Sequence, residues 1–255
     1  MTSFKSIMAA LLLTATAGLS TQAQSNSEAN LQSPPRNIVK FNLAGLAARN
    51  YQLQYERVLS RRISLALSYR TMPKGSVPFK SKLLNLVDDQ NFTDAVTNLE
   101  ISGTALTPEV RIYLGKGYGQ GFYIAPFYRN ASFDATGAKI SFETLPGKEE
   151  SISLAGKTKT NSGGILFGAQ WGLGKHVSLD WWILGPHIGT GKADLVGVPS
   201  KTLTAYEQER LRQELDNMDF PLKNVSYTVG PNRTDVKLDG TLGGVRAGLS
   251  LGVRF

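Results

Sequence analysis

The 255-residue chain has two histidines and no cysteine, which narrows the chemistry its side chains can perform. Thiolate nucleophiles, disulfides and cysteine metal sites are excluded. Acyl transfer or peptide cleavage would need a serine or an acid set beside a base. His176 follows Lys175 in a short turn, where solvation is its ordinary state. His187 stands near one end of an alternating stretch, where a rim base would sit, yet its neighbours Pro186 and Ile188 offer no partner. No serine lies in a nucleophile-elbow pattern, and no residues have metal-ligand spacing. We therefore expect no catalytic residue, no metal and no cofactor.

Charge placement is more informative. Arg70, Arg129 and Arg246 each fall on the polar phase of an alternating stretch, near what would be the same end of three strands. Three guanidinium groups at one height repel one another, so a negative partner is expected. The preferred partner is a loop acid, Glu207, Glu209 or Asp216, folding back over them; the alternative is an anion site for lipopolysaccharide phosphates or a small acidic ligand. Deeper polar positions carry Lys40, Arg111 and Arg254 with Glu56, Glu109 and Asp180. Equal numbers of both signs predict a network of paired charges filling a narrow interior.

These placements depend on strands that alternate. In NYQLQYERVL, Tyr51, Leu53 and Tyr55 oppose Gln52, Gln54 and Glu56, and Ile63, Leu65, Leu67 and Tyr69 oppose Ser64, Ala66, Ser68 and Arg70. Val39, Phe41 and Leu43 define a first strand in 37–47; Val110, Ile112 and Leu114 define a fourth. FYIAPFYR puts Phe122, Ile124 and Tyr128 outward against Tyr123, Phe127 and Arg129, a phase its apolar run leaves open, and Pro126 predicts a bulge. Ile165, Phe167, Ala169 and Trp171, then Val177, Leu179, Trp181 and Ile183, form further outward sets. The last strand, TLGGVRAGLSLGVRF at 241–255, sets Leu251, Val253 and Phe255 opposite Ser250, Gly252 and Arg254. Alternation of period two fits these stretches and helical spacing does not. Short turns at 59–62, 115–121 and 172–176 alternate with long connections at 72–103, 134–160 and 189–240, with helices expected near 83–96 and 204–217. The pattern predicts an all-β, eight-stranded antiparallel up-and-down transmembrane barrel with short periplasmic turns and three long outer loops.

Residues 1–23 read as a secretory signal peptide, with Lys5 ahead of an apolar run and small residues at Thr21-Gln22-Ala23. A polar leader follows at 24–35, and the barrel occupies 36–255. The net charge of +8 is spread along the strands, without a basic tail or basic helix, so no nucleic-acid partner is expected. Tyr51, Tyr55, Tyr69, Tyr128, Trp171 and Trp181 are expected in interfacial girdles. A soluble lipocalin-like barrel would reverse the faces, and alternation alone does not distinguish the two; the charged interior, signal peptide and terminal Phe255 favour the membrane version. KFNLAGLAARNYQLQYERVLSRRISLALSYR, TPEVRIYLGKGYGQGFYIAPFYR and LSLGVRF resemble small outer-membrane β-barrel proteins of unknown function common in Bacteroidota-type bacteria. That resemblance implies a fold and a location but no activity. Leu251, Val253 and Phe255 resemble the signal read by the barrel-assembly machinery. The expected object is a monomer in the cell outer membrane, in contact with lipid and lipopolysaccharide, with a structural or adhesive role. A narrow channel or anion-binding barrel comes second, and a lipid-modifying or protease barrel enzyme third.

Overall fold

The computed structural model describes residues 35–86, 93, 96–145, 148–217 and 222–255; the expected signal peptide, and the expected leader except Pro35, lie outside them. The described residues form nine strands: β1 (Asn37–Asn42), β2 (Tyr51–Val58), β3 (Ile63–Ser76), β4 (Glu100–Tyr113), β5 (Gly121–Leu145), β6 (Lys148–Leu173), β7 (Val177–Pro199), β8 (Asn224–Val229) and β9 (Thr234–Arg254). β1 to β7 pair in sequence, β7 pairs with β9, and β9 returns to β1, so eight antiparallel strands close into a ring. The closing seam runs from Ile38↔Arg254 to Asn42↔Ser250. It ends where the Asn37 amide donates to the Phe255 carbonyl at 3.0 Å and Phe255 returns the bond at 2.9 Å. β8 stands outside the ring and, among the described residues, pairs with the Thr234–Asp239 stretch of β9.

Burial runs opposite to that of a soluble core. Along β2, Gln52, Gln54 and Glu56 are buried while Tyr51, Leu53 and Tyr55 are exposed. Leu53 is 56% exposed and its neighbour Glu56 0%; on β4, Ile112 is 41% exposed and Arg111 0%. The ring thus turns its charged side chains inward and a continuous set of apolar ones outward, although Ile38, Val58, Phe127, Leu166 and Trp182 are also buried inside. The phase left open in β5 resolves in the expected sense, with Phe122 and Tyr128 outward and Tyr123, Phe127 and Arg129 buried.

Several expectations need correction. The first strand stops at Asn42, whose side chain accepts from the Gly45 amide at 3.0 Å and caps a one-turn helix, α1 (Leu43–Leu46). Leu43 therefore belongs to that turn and not to the β1 face. No bulge occurs at Pro126: Ala125↔Leu166, Pro126↔Ile165 and Phe127↔Gly164 keep one register. The irregularity of this wall lies instead in β7, between Trp182 and Gly185, where Ile183 and Leu184 both face outward. Ala169 takes the outward phase but is buried.

The connection expected at 134–160 is almost wholly strand, and those at 72–103 and 189–240 are partly so. β5, β6, β7 and β9 continue well past the ring as an extension, and β3 and β4 run to Ser76 and from Glu100. Gly137 is the unpaired residue between Thr136↔Ala155 and Ala138↔Leu154. Its φ of +83° suits a residue without Cβ at a bulge. The insertion shifts the inside–outside phase, so that Phe142, Ile152 and Val229 pack apolar-in against Leu211 and Leu215 of α3 (Ala205–Asn217). α2 (Lys80–Leu86) covers only the start of the helix expected at 83–96, the remainder of which lies mostly outside the described residues. The extension thus has a soluble-type core, whereas the ring buries charges beside an aromatic-rich cluster of Tyr113, Tyr123, Ala125, Phe127, Leu166 and Trp182.

Candidate functional site

The ring interior is closed by a plug whose charged side chains come from four strands, β1, β2, β4 and β7. Lys40 of β1 donates to Asp180 Oδ2 at 2.7 Å and also bonds Glu56 and Gln170. Arg111 of β4 reaches Asp180 at 2.6 Å, Glu109 at 2.5 Å and Glu56 at 3.2 Å. All five ionised side chains are 0% exposed. The remaining acceptor sites are filled by neutral groups: Ser64 and Tyr113 hydroxyls donate to Glu56 at 2.5 and 2.7 Å, and Tyr123 donates to Asp180 at 2.7 Å. Gln54 donates to Glu109 at 2.7 Å and accepts from Arg111 at 3.0 Å. A buried ion network of this kind survives only when its partners satisfy one another, because each ion has given up its hydration. Direct contacts among β1, β2, β4, β6 and β7 leave these side chains no exposure to water.

Five of the six residues expected in the lumen network meet in this plug; Arg254 does not. It faces the short-turn end, where its guanidinium donates to the Tyr118 carbonyl at 2.7 Å. The same turn is held from above by Gln170, which donates to the Gly119 carbonyl at 2.7 Å, so the loop expected as a plain turn closes the lower end. Sequence reasoning missed Gln54, Ser64, Tyr113, Tyr123 and Gln170 as plug members, although all five lie on the inward phase it assigned. The close packing also needs a small residue: a Cβ on Gly168 would lie 2.4 Å from the Tyr123 ring.

Arg70, Arg129 and Arg246 do come together above the plug, each within electrostatic range of the others. Arg246, placed beyond any inward acid by the sequence reading, in fact meets Glu109 at 3.3 Å. Its guanidinium also stacks on Phe127 and Trp182, with ring centroids 4.4 and 4.9 Å away. Arg70 lies 5.6 Å from the Phe133 centroid. Among the described residues, Arg70 and Arg129 have no acidic partner.

The loop acids do not fold back over them. Glu207 bonds Lys201 at 2.8 Å and the Thr204 amide at 2.9 Å, completing the capping box that Thr204 and Glu207 predict. The Lys201 bond, then the capping bond, hold its carboxyl down at about 2. Glu209 pairs with Arg212 at 3.0 Å, and Asp216 accepts from the Tyr227 hydroxyl. The physical reason is distance: α3 packs at Phe142, thirteen residues above Arg129, or about 40 Å along a strand.

His187 sits beside this cluster, edge-on to Phe127 at 5.9 Å, with Nδ1 buried and unpartnered among the described residues. Its charged neighbours are Arg129 and Arg246, and no carboxylate bonds it. A base oriented by an acid is therefore not assembled here. The His176 ring, in the turn before β7, lies 3.4 Å from the Arg254 carbonyl, and the His176 carbonyl accepts from the Arg254 amide at 2.7 Å. Leu251, Val253 and Phe255 stand on the outer face, Phe255 at 60% exposure. The groups of the described residues include no metal-binding cluster.

No curated protein matches the chain. A family model described as a protein of unknown function (DUF3575) matches residues 8–191. That span carries Lys40, Glu56, Arg70, Glu109, Arg111, Arg129 and Asp180 and leaves Arg246 in β9 beyond it. With well over half its length matched, the chain belongs to the DUF3575 family.

Proposed function

We propose that the protein is a monomeric outer-membrane β-barrel with a sealed lumen, which holds the β5–β9 extension at the cell surface for a structural or surface-recognition role. The observation that carries this reading is the inverted burial: an apolar outer face around a core of ions. In water that arrangement wastes every outward side chain, while in lipid it satisfies both faces. Val245 to Phe255 spans ten residue steps, about 33 Å along the strand and about 25 Å of height at a barrel tilt of 35–45°, matching an apolar membrane band. Exposed Tyr51, Tyr55, Tyr69, Tyr128, Trp171 and Trp181 supply the aromatic residues such walls use at their borders. The short turns and the chain terminus share one end, which fits a periplasmic side, and the extension leaves from the other. Outward Leu251, Val253 and Phe255 are then available to the barrel-assembly machinery.

The sealed plug weighs against the channel reading, since ions at 0% exposure give water no continuous path. The test is expression of the full chain in a Gram-negative cell with an epitope inserted after Asn232, in the turn between β8 and β9. Outer-membrane fractionation, heat-modifiable migration and labelling of intact cells are expected. Recovery as a soluble periplasmic protein, or an epitope reached only after lysis, would overturn the reading.

A further inference from the structure

We propose that Arg70, Arg129 and Arg246 form a binding site for a phosphate-class oxyanion above the plug. Four observations converge on it. The three guanidinium groups come from separate strands, β3, β5 and β9, and lie within electrostatic range of one another. Arg129 and Arg246 are each only 7% exposed, so water does not screen them as it would on a surface. Donor atoms remain without partners: buried Arg70 Nε and Arg246 Nη2 have no hydrogen bond among the described residues, and buried donors are nearly always bonded. Finally, the charge does not balance. The plug and the cluster together hold five cations, Lys40, Arg70, Arg111, Arg129 and Arg246, against three carboxylates, Glu56, Glu109 and Asp180, leaving two positive charges.

Glu109 cannot supply the missing charge, because one of its oxygens is taken by Arg111 and Gln54 and the other by Arg246. The loop acids are engaged about 40 Å away along the strands. A surplus of two charges presented by planar, multi-donor guanidinium groups matches a phosphate monoester or inorganic phosphate, whose oxygens accept several such bonds at once. His187, beside Arg129 and Arg246, adds a ring nitrogen at the same level. The ligand is either free phosphate or the phosphate of a lipid headgroup; the chemistry at the arginines is the same. The site does not depend on whether the outer face of the ring lies in lipid.

The experiment measures thermal unfolding of the full-length protein in nonionic detergent micelles, by loss of heat-modifiable migration. It compares sodium phosphate with sodium chloride at equal ionic strength and pH, and micelles doped with phosphatidic acid with micelles doped with phosphatidylcholine. The variant is Arg70→Gln/Arg129→Gln, which leaves Arg246, Glu109 and the plug intact and removes two mutually repelling charges, so that it folds at least as readily in chloride. Equilibrium dialysis with labelled phosphate reads binding directly. For wild type, phosphate at about a hundred times its dissociation constant raises the folded-to-unfolded ratio about a hundredfold, and the double variant loses that rise. A shift with inorganic phosphate identifies the free ion; a shift with phosphatidic acid alone identifies a headgroup. Absence of any shift and of dialysis binding, or a shift of equal size in the variant, overturns the proposal.

Discussion

Replacing Arg111 with Met tests whether the ring interior is the dry, closed network its geometry describes. Arg111 contacts three carboxylates, at 2.5, 2.6 and 3.2 Å, with every partner 0% exposed. Its loss leaves Glu56, Glu109 and Asp180 facing only Lys40 and Arg246, and it also removes the guanidinium stacked 4.5 Å from the Tyr123 centroid. Two charges 4 Å apart attract by about 4 kcal/mol at an effective dielectric constant of 20 and by about 1 kcal/mol in water. Breaking one partner out of a buried pair costs about 3–5 kcal/mol, because the remaining charge stays desolvated. A loss in that range, measured by urea unfolding of the protein folded into lipid vesicles, is the expected result. Two further outcomes follow from the same cause. Adding Glu109→Gln to Arg111→Met removes one of the acids stranded by the loss of Arg111 and recovers at least about 1 kcal/mol, as coupled neighbours do. Acid conditions shrink the Arg111→Met deficit, since a protonated carboxyl no longer needs a counter-charge. A loss below about 1 kcal/mol, the size of an exposed ion pair, would refute the reasoning: it would mean that water reaches the network and the lumen is open.

Leu65→Arg, on the outward face of β3 at 47% exposure, is expected to destabilise the vesicle-inserted protein by about 2–4 kcal/mol, against about 0.5 kcal/mol or less for Leu86→Arg on α2; equal small effects would remove the lipid wall. Deleting Phe255 removes the two backbone bonds to Asn37 that finish the closing seam, and heat-modifiable protein in the outer membrane should fall sharply; normal assembly would show that neither these bonds nor the terminal aromatic is needed. Glu207 has its carboxyl lowered from 4.5 to about 2, so the support it gives α3 is present above pH 4.5 and is lost as pH falls toward 2. Amide exchange of α3 should accelerate over that window in the wild type and start fast, with a smaller pH response, in Glu207→Gln; identical profiles would show that the capping bonds do not hold the helix.

The wall was legible because a period-two pattern survives any detail of pairing: Tyr51, Leu53 and Tyr55 had only one face to share. The capping box at Thr204 was legible for the same local reason. What alternation does not encode is how far a strand continues once its burial changes character. Residues 138–145 and 148–155 bury Phe142 and Ile152 against α3, so they look like neither a lipid wall nor a polar loop, and the phase shift at Gly137 breaks the pattern that would have joined them to the ring. The inward phase also says nothing about height. Glu109 and Arg246 belong to strands that do not pair, and only the stagger of the closed ring brings them to 3.3 Å. Pro126 misled because a missing amide was read as a bulge, whereas the β5–β6 register passes straight through it.

The plug also supplies what an alternating wall lacks, a means of fixing register. A sheet whose outward residues are merely apolar tolerates a two-residue slip on that face, since Leu, Tyr, Ile and Val substitute for one another there. A one-residue slip would turn Lys40, Glu56, Arg111 or Asp180 toward the apolar outer face; in the proposed membrane setting a cation there costs about 2–4 kcal/mol near the midplane. A two-residue slip keeps those groups inside but separates them from their partners, by about 6.6 Å along the strand. At that spacing Arg111 could not hold Glu56, Glu109 and Asp180 together, and the buried acids would lose the bonds that offset their desolvation. Because the contacts bring together β1, β2, β4, β6 and β7, the network opposes slippage at several seams at once. The ions therefore contribute less through their net energy, which burial largely cancels, than through the energy gap between the native register and every neighbouring one.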